Sequence, residues 1–218
     1  MSAQRNDPPV LEVHGSRTGN CLRVTVALEE LGLPYTVRRV DLRGGEQRRA
    51  PFLTLNPHGH VPVLVDRSDP DHPLTIARSN ASLLHLCGLR PGILLPVGDP
   101  RSLALVFERF FYFVTDAIAP NFSAFYLTVT GASPEAAGRL SARSLAAIGA
   151  ADRFLATSPY MAGTQYSLAD LVAVTIVQAS RDEVAWADHP RLASWFEEVR
   201  NRPAVLRGMQ AFDVPPGE

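Results

Sequence analysis

Hydrophobic and polar positions follow two different spacings within the first forty residues. Residues 10–14 form a short run typical of a β-strand, and residues 35–42 form a second run that is rich in β-branched and aromatic side chains. Between these runs, apolar side chains recur at the i, i+3, i+4, i+7 spacing of a buried helix face, namely Val24, Ala27, Leu28 and Leu31. Gly32 and Pro34 end that helix. The pattern predicts a β-α-β unit with parallel strands and a right-handed crossover.

The same two spacings continue as far as residue 88. Four further elements are indicated: a short helix over 47–55, a strand over 62–66, a strand over 74–77 and a helix over 79–88. The turn at 69–71 joins the two strands as an antiparallel hairpin. Residues 10–88 are therefore predicted to form a compact α/β domain, and the polar residues 1–9 are expected to be a flexible tail.

From residue 99 onward the pattern is helical throughout. Residues 89–98, in a stretch rich in Gly and Pro, are the predicted linker. Amphipathic stretches predict long helices over 101–130, 133–155, 167–181 and 190–200, with a short last helix after Pro203. Residues 99–218 are thus predicted to form an all-helical domain, and the fold class of the chain is α/β plus all-α.

One of these helix starts is specified in detail by Ser167 and Asp170. The Ser167 hydroxyl can accept a hydrogen bond from the Asp170 N–H, and the Asp170 carboxylate can accept one from the Ser167 N–H. This capping box predicts a helix that begins directly after Ser167. Its role is structural, since loss of such a cap costs about 1 kcal/mol of stability.

Composition and charge exclude several classes of function. The 218 residues are 46% hydrophobic and 20% charged, and the net charge of −1 offers no basic surface for nucleic acid or for an anionic membrane. No apolar run approaches the roughly 18 residues of a membrane span, and residues 1–9 lack the apolar core of a secretion signal. A cytoplasmic protein is therefore expected. The two Cys and six His residues show no ligand spacing, so no metal is predicted.

Residues 56–64 place a proline inside a run of strand-forming residues. Pro62 cannot donate a hydrogen bond to a sheet, so the segment must lie at a sheet edge or contain an unusual peptide bond. A cis bond between Val61 and Pro62 would leave the Val61 N–H and C=O unpaired and directed at a ligand. This stretch is therefore a candidate for recognising the main chain of a peptide.

Four motifs resemble those of the cytosolic glutathione transferase superfamily, and they span nearly the whole chain. They are residues 18–24 with 28–31, residues 56–62, residues 78–81, and residues 160–163 followed by 167–170. The resemblance implies a thioredoxin-like N-terminal domain, an all-helical C-terminal domain, a homodimer and a role in detoxification. It also implies glutathione as co-substrate and a small apolar electrophile as second substrate. Thr18, Gly19 and Asn20, together with residues 44–47, are most similar to the bacterial Nu-type branch.

The resemblance further implies that the start of the first helix activates the thiol of glutathione. A free thiol has a pKa of about 8.5 and is mostly protonated at neutral pH, whereas the thiolate is the nucleophile. Thr18 and Asn20 are the candidate catalytic residues, because a donor to the sulfur and the positive end of a helix both favour the charged form. A purely helix-capping role for this pair stays open, and Ser16 is a further hydroxyl nearby. Cys21 is predicted to be a small buried residue and not a nucleophile.

By the same resemblance, five residues are candidates to bind glutathione: Gln47, His60, Val61, Arg78 and Ser79. Val61 would bind the cysteinyl main chain, and Ser79, at a helix start, the γ-glutamyl carboxylate. His60 and Gln47 would contact the glycyl carboxylate. His60 departs from the family pattern, because the family often has a longer basic or amide side chain before the Val-Pro pair. Arg78 departs from the family pattern, because the family usually has Glu or Gln there to receive the ammonium, whereas a guanidinium has donors only. Either Arg78 turns away and another acid, including one from a partner subunit, binds the ammonium, or the tripeptide is held differently.

Aromatic side chains of the helical part are the candidates for the electrophile pocket. They are Phe107, Phe110, Phe111, Tyr112, Phe113, Phe122, Phe125 and Tyr126. Helical spacing alone buries such residues, so most of them are expected in the core. One or two are expected to line an apolar pocket, and Tyr112 is the candidate.

Three functions are compatible with these features. The first is an enzyme that activates glutathione and adds it to an electrophile, or uses it to reduce a peroxide or a disulfide. The second is a non-catalytic binding or assembly module, for which Arg78 is the main support. The third is a glutathione-dependent isomerase or dehalogenase, for which an activated thiol is equally suited.

Overall fold

The computed structural model describes residues 10–213. Within them, the contacts separate two compact units: residues 10–89 together with 206–213, and Arg90–Val205. The tail expected at residues 1–9 lies outside the described residues. Residues 206–213, which the sequence places in the predicted helical domain, group in the structure with the first unit because they pack against its first helix.

The first unit contains a four-stranded mixed sheet and three helices. In chain order its elements are β1 (Leu11–Gly15), α1 (Gly19–Glu30), β2 (Tyr35–Arg39), a 3₁₀ turn (Glu46–Arg48), α2 (Ala50–Leu55), β3 (Val63–Asp66), β4 (Leu74–Ile76) and α3 (Ser79–Leu89). The strand order is β2-β1-β3-β4. The predicted parallel β-α-β unit is confirmed by the pairing of β1 with β2, and the predicted hairpin by the antiparallel pairing of β3 with β4.

Helices cover both faces of this sheet. α1 packs against α3, while an apolar cluster beside α2 consists of Val40, Phe52, Val63 and Val65. All four residues of β3 are buried, which explains why the first three, Val63 to Val65, form a continuous apolar run instead of an alternating one. The sheet and α1 therefore form a rigid base for the loops that connect them.

The second unit is all-helical within the described residues. Its elements are α4 (Pro100–Tyr112), a π-helical segment (Phe113–Ile118), α5 (Ala119–Thr130), α6 (Pro134–Ala150), a 3₁₀ segment (Ala151–Leu155), α7 (Leu168–Ser180), a 3₁₀ turn (Trp186–Asp188) and α8 (Pro190–Arg200). The last helix, α9 (Pro203–Gln210), starts in this unit. The helix predicted over 101–130 is continuous in the structure but contains the π-helical segment just before Pro120. Pro120 has no N–H and would crowd the carbonyl four residues earlier in a regular α-helix, so a wider turn accommodates it.

The capping box at the start of α7 is confirmed. The Ser167 N–H and hydroxyl each lie 3.0 Å from Asp170 Oδ2, and the reciprocal contact to the Ser167 side chain is present. Asp170 Oδ1 also accepts from the Met161 N–H at 2.8 Å and from Trp195 Nε1 at 2.9 Å. Burial raises the pKa of Asp170, and these donors oppose that rise. The carboxylate thus connects α7 to the preceding loop and to α8.

The eight candidate aromatic residues of the helical unit differ in burial, and two of them, Phe107 and Tyr112, are half-buried. Phe110 and Phe113 are buried, as expected. Four others are more than half exposed: Phe111, Phe122, Phe125 and Tyr126. For these four the expectation of core packing is wrong, because helical spacing shows which residues share a face and not whether another element covers that face.

Candidate functional site

The strand register brings the loops that carry the candidate residues to one edge of the sheet. β1 and β2 are parallel with Gly15 opposite Arg39, so both strands end at this edge. β3 is antiparallel to β1 with Val63 opposite His14, so β3 begins there, and β4, antiparallel to β3, ends there. The segments that follow β1, β2 and β4, together with the residues before β3, contain Ser16, Thr18, Asn20, Gln47, His60, Val61, Arg78 and Ser79. Residues far apart in sequence therefore meet at this edge.

Thr18 is the N-cap residue of α1. Its backbone is extended, with φ −123° and ψ 151°, and its carbonyl accepts from the Leu22 N–H at 2.9 Å. The Thr18 hydroxyl oxygen lies 3.4 Å from the Cys21 N–H nitrogen and 3.1 Å from Cys21 Sγ. Both side-chain contacts of Thr18 are therefore made with Cys21, and the capping role that the sequence left open is present.

Asn20 and Ser16 have polar side-chain groups without a partner in the described residues. Asn20 is the second residue of α1 and is half-buried, and its side chain makes no hydrogen bond within residues 10–213. The Ser16 carbonyl accepts from the Thr18 N–H at 2.7 Å, while the Ser16 hydroxyl has no partner in the same range. An amide and a hydroxyl are therefore available beside the first turn of α1, where backbone N–H groups also lack helical partners.

Cys21 is buried completely, at 0% exposure, as the sequence predicts. Burial raises the pKa of the Cys21 thiol, and the Thr18 hydrogen bond offsets part of that rise. A buried, protonated thiol is a poor nucleophile. Cys21 therefore packs beneath the helix start and is not positioned as a reactive group.

The Val61–Pro62 peptide bond is cis, as the sequence suggested. The Val61 N–H and C=O have no hydrogen bond to any residue from 10 to 213. The Val61 side chain packs against the apolar cluster beside α2. The side chain is thus part of the core, whereas the backbone N–H and C=O stay unpaired within residues 10–213.

A residue that the sequence analysis did not single out, Asn56, shapes the loop before Val61. Asn56 is 1% exposed. Its side chain donates to the His60 carbonyl at 2.7 Å and accepts from the His58 N–H at 3.1 Å, while its carbonyl accepts from the Gly59 N–H at 2.9 Å. The Asn-Pro dipeptide was the available signal, since Asn side chains commonly bond the backbone two residues on.

Gln47 lies next to this loop. Gly59 has a φ of +62°, and a Cβ there would be 2.9 Å from the Gln47 carbonyl oxygen, so only glycine fits this approach without strain. Gln47 Nε2 is 3.5 Å from the Leu42 carbonyl, and its Oε1 is buried without a partner in the described chain. His60 is exposed, and its ring has no partner there either. The structure thus brings Gln47 and His60 to neighbouring positions.

Ser79 is the first residue of α3 and is 9% exposed. Its hydroxyl makes no hydrogen bond within the described residues. Arg78, directly before it, is exposed, and its guanidinium pairs with no carboxylate in residues 10–213. Asn80 Oδ1 is buried and also unpartnered there. The start of α3 therefore presents a hydroxyl, unpaired helix N–H groups and a cation.

Tyr112 lies in the second unit, at the end of α4. Its hydroxyl donates to the Ala147 carbonyl of α6 at 2.7 Å, and its ring meets the Phe154 ring edge to face. Burial raises the pKa of the Tyr112 hydroxyl. A groove of about 500 Å³ lies along α5 and α6, and Phe125 lines it whereas Tyr112 does not. The hydroxyl of Tyr112 is therefore committed to a structural bond.

Residues 10–213 contain no group of three or more His, Cys, Asp or Glu side chains that could hold a metal ion. None of their helices combines the length and the apolar content that a membrane crossing requires.

Comparison with known families gives matches in both units. The family model for the glutathione S-transferase N-terminal domain matches residues 19–89. The family model for the glutathione S-transferase C-terminal domain matches residues 114–203.

Individual relatives match over nearly the full chain. Glutathione S-transferase 3 of Zea mays is 31% identical over 207 residues, covering 90% of this chain and 91% of the relative. The disulfide-bond oxidoreductase YfcG of Escherichia coli K12 is 29% identical over 202 residues, covering 90% and 93%. A glutathione transferase from Burkholderia graminis, solved with two glutathione molecules bound per subunit, is 26% identical with a TM-score of 0.81, covering 95% and 90%. The chain belongs to the glutathione S-transferase family.

Proposed function

We propose that this protein binds glutathione at the sheet edge and activates its thiol at the start of α1. Glutathione is then attached through its sulfur to a small apolar electrophile, or it reduces a peroxide or a disulfide. The names of the relatives support both branches, since one is a glutathione S-transferase and another a disulfide-bond oxidoreductase. The observation that carries the proposal is the Val61 backbone, whose N–H and C=O make no hydrogen bond within residues 10–213 and lie next to the point where β1 ends and β3 begins.

The tripeptide is bound mainly through its main chain and its two carboxylates. The unpaired Val61 N–H and C=O suit the cysteinyl residue of a peptide, because they offer one donor and one acceptor. The Ser79 hydroxyl and the helix start behind it suit the γ-glutamyl carboxylate. Gln47 and His60 contact the glycyl carboxylate from the neighbouring loops.

Asn20 is the first candidate to donate to the sulfur. Its amide carries two N–H donors without a partner in the described chain, whereas the single Thr18 proton already faces Cys21 Sγ. Thr18 then caps α1 and fixes its first turn, and it donates to the sulfur only if its hydroxyl turns away from Cys21. A donor that bonds the thiolate, at the positive end of a helix, lowers the pKa of the bound thiol.

Arg78 affects how the ammonium group of glutathione is bound. Its exposed guanidinium lies directly before Ser79 and repels a cation there. The side chain therefore turns to solvent when glutathione binds, and an acid from elsewhere receives the ammonium. The affinity for glutathione is weaker than it would be with a carboxylate at this position.

Further parts of the same proposal are the electrophile site, the branch of the family, the cellular location and the state of assembly. Tyr112 contributes its ring, and not its hydroxyl, to an apolar electrophile site. Residues 18–20 support the Nu-type branch, and the free thiols of Cys21 and Cys87 suit the reducing cytoplasm. Four exposed aliphatic and aromatic side chains on α5 support a homodimer: Phe122, Phe125, Tyr126 and Val129.

Calorimetry with reduced glutathione, followed by turnover assays, tests the proposal. The assays use a chloronitrobenzene, an organic disulfide, an organic hydroperoxide and maleylacetoacetate. Asn20→Ala is expected to raise the pKa of the bound thiol by about one unit, and so to lower kcat at neutral pH by about tenfold. The deficit should close at high pH, where the thiol ionises without help.

Asn201→Ala is the matched control, because Asn201 is an exposed asparagine of the helical unit whose side chain donates to the Glu197 carbonyl. Its pH profile should follow that of the unmodified protein. If Asn20→Ala leaves the profile unchanged while Thr18→Val shifts it, Thr18 is the donor and Asn20 is not. Lack of binding at millimolar glutathione would contradict the enzyme and favour a non-catalytic module.

A further inference from the structure

The last described residues of the chain pack against the turn that opens the proposed thiol site. Phe212 is 4% exposed, and its ring lies against Gly15 at the end of β1. A Cβ added at Gly15 would be 3.1 Å from Phe212 Cζ and 2.8 Å from Cys21 Sγ. Phe212, Gly15 and Cys21 therefore form one close contact. Gly15 and Cys21 flank the segment that contains Thr18 and Asn20.

A second contact fixes the middle of α1. A Cβ at Gly208 would lie 2.5 Å from Val26 Cα, so the two helices approach at a point that only glycine allows. The buried Thr25 hydroxyl donates to the Gly208 carbonyl at 2.7 Å. Further along α1, Arg207 Nε lies 2.6 Å from Glu29 Oε2.

Polar contacts also attach residues 212 and 213 to the same sheet edge. The Arg39 guanidinium, at the end of β2, donates to the Phe212 carbonyl. Arg17 Nε, in the loop after β1, lies 3.3 Å from Asp213 Oδ1. The ion pair between Arg17 and Asp213 is exposed and contributes little to stability by itself. Together with the contacts of Phe212, it holds both sides of the loop after β1.

We propose that residues 206–213, here called the C-terminal strap, hold the first turn of α1 in the geometry that stabilises a thiolate. Gly208 and Phe212 are then positioning residues. This inference rests on the proposed function. Donors stabilise a developing charge well only when they are fixed in advance, and helix ends open more readily than helix centres. The strap supplies the restraint from a segment nearly two hundred residues away in sequence.

Two variants of the full-length protein test the strap. Phe212→Ala removes the ring beside Gly15, and Gly208→Ala places a Cβ against Val26. Each is expected to raise the pKa of bound glutathione, measured by the ultraviolet absorbance of the thiolate, by about one unit. The amides of Cys21 and Leu22, which donate to the Thr18 carbonyl, should exchange with deuterium about tenfold faster than in the unmodified protein.

Milder substitutions keep the test valid if Phe212→Ala or Gly208→Ala does not fold. Arg39→Gln removes only the hydrogen bond to the strap, while Arg38→Gln removes the neighbouring exposed arginine, which pairs with Glu12. Arg39→Gln should shift the thiol pKa and the exchange in the same direction by a smaller amount, and Arg38→Gln should shift neither. Phe212→Leu, which keeps an apolar side chain, should restore most of what Phe212→Ala loses.

The two possible failures are distinguishable. If the unmodified protein lowers the pKa of bound glutathione while folded Phe212→Ala and Arg39→Gln keep that pKa and the slow exchange, the strap inference is overturned. If the unmodified protein does not lower the thiol pKa, the proposed function fails. Amide exchange at Cys21 and Leu22 then decides the inference alone, since it needs no glutathione, and unchanged exchange in the variants overturns it.

Discussion

Arg78 is one of two residues, with His60, at which this chain departs from the family pattern that its motifs otherwise follow. The departure at Arg78 can be recognised in the sequence, because the next residue, Ser79, is the serine that the family pattern has at this helix start. The structure adds that Arg78 is exposed and makes no ion pair within residues 10–213. Its cost to ligand binding is therefore one of charge and not of space, and a substitution can test it without disturbing the core.

Arg78→Glu is expected to tighten glutathione binding by about five- to tenfold at low salt, since a carboxylate replaces a repulsive cation near the ammonium. The gain should shrink as salt is added, because the position is exposed. Calorimetry at two ionic strengths measures both effects.

Arg90→Glu is the control for that measurement. Arg90 is exposed and directly follows α3, so the same change of net charge is made at the other end of the helix. It should leave the affinity unchanged. Equal effects of both substitutions, or weaker binding by Arg78→Glu, would contradict the assignment of the ammonium to this position.

Partners of individual side chains could not be predicted from the sequence. The motif around Thr18 indicated a hydroxyl and an amide at a helix start, but not that Cys21 would occupy the hydroxyl and leave Asn20 free. Asn56 likewise appeared only as part of a turn, although its side chain determines the loop before Val61. Sequence spacing gives donor types, whereas their pairing depends on rotamers and on burial.

At the scale of elements, α8 begins without a cap of its own. His189 gives no side-chain cap, and instead Asp152, from the 3₁₀ segment after α6, accepts from the Arg191 and Leu192 N–H groups at 2.9 Å. Asp152 Oδ2 also lies 2.6 Å from Arg191 Nη1. Burial alone would raise the pKa of Asp152, but the hydrogen bonds from Leu192 and Arg191 outweigh it and hold the pKa below its usual value.

Asp152→Asn is expected to lower the free energy of unfolding by about 1 kcal/mol at neutral pH. A carboxylate with a lowered pKa in the folded state stabilises the fold above its ordinary pKa of 3.8, and that stability is lost as the pH falls through the lower, folded value. The difference between the two proteins should therefore vanish in acid. Urea denaturation across this pH range measures it.

Asp188→Asn serves as the comparison, because Asp188 is an exposed aspartate of the neighbouring 3₁₀ turn. It should change stability little at any pH. A deficit of Asp152→Asn that persists in acid would point to lost packing instead of lost charge.

A structural feature could be predicted from the sequence when the residues that determine it lie close together along the chain. The cap of α7 was read directly, because its two partners are three residues apart, whereas the cap of α8 comes from a residue 39 positions away. The π-helical segment was not predicted, since its cause lies in how Pro120 is accommodated within one long helix. Periodicity identifies a helix but does not report its winding.

At the scale of the whole molecule, the sequence indicated both structural classes and the change between them near residue 89. It did not indicate that residues 206–213 group with the first unit. That grouping depends on contacts such as Thr25 with Gly208, which join residues 183 positions apart. Long-range pairing of this kind leaves no periodic trace along the chain.

The outer face of α5 bears on the state of assembly. Phe122, Phe125, Tyr126 and Val129 follow the i, i+3, i+4, i+7 spacing of one stripe, and each is more than half exposed. The sequence of α5 contains no charged residue. A stripe that is apolar and free of charge can pack against its own copy around a two-fold axis without opposing like charges.

Phe125→Glu is therefore expected to convert a dimer to a monomer, because it would place two carboxylates in an apolar contact between copies. Light scattering after gel filtration, over a range of protein concentrations, measures the mass. Val97→Glu is the control, since Val97 is a similarly exposed apolar residue, 68% accessible, in the loop before α4. Dimers of Phe125→Glu that are as stable as those of Val97→Glu would show that α5 faces something other than a second copy of this chain.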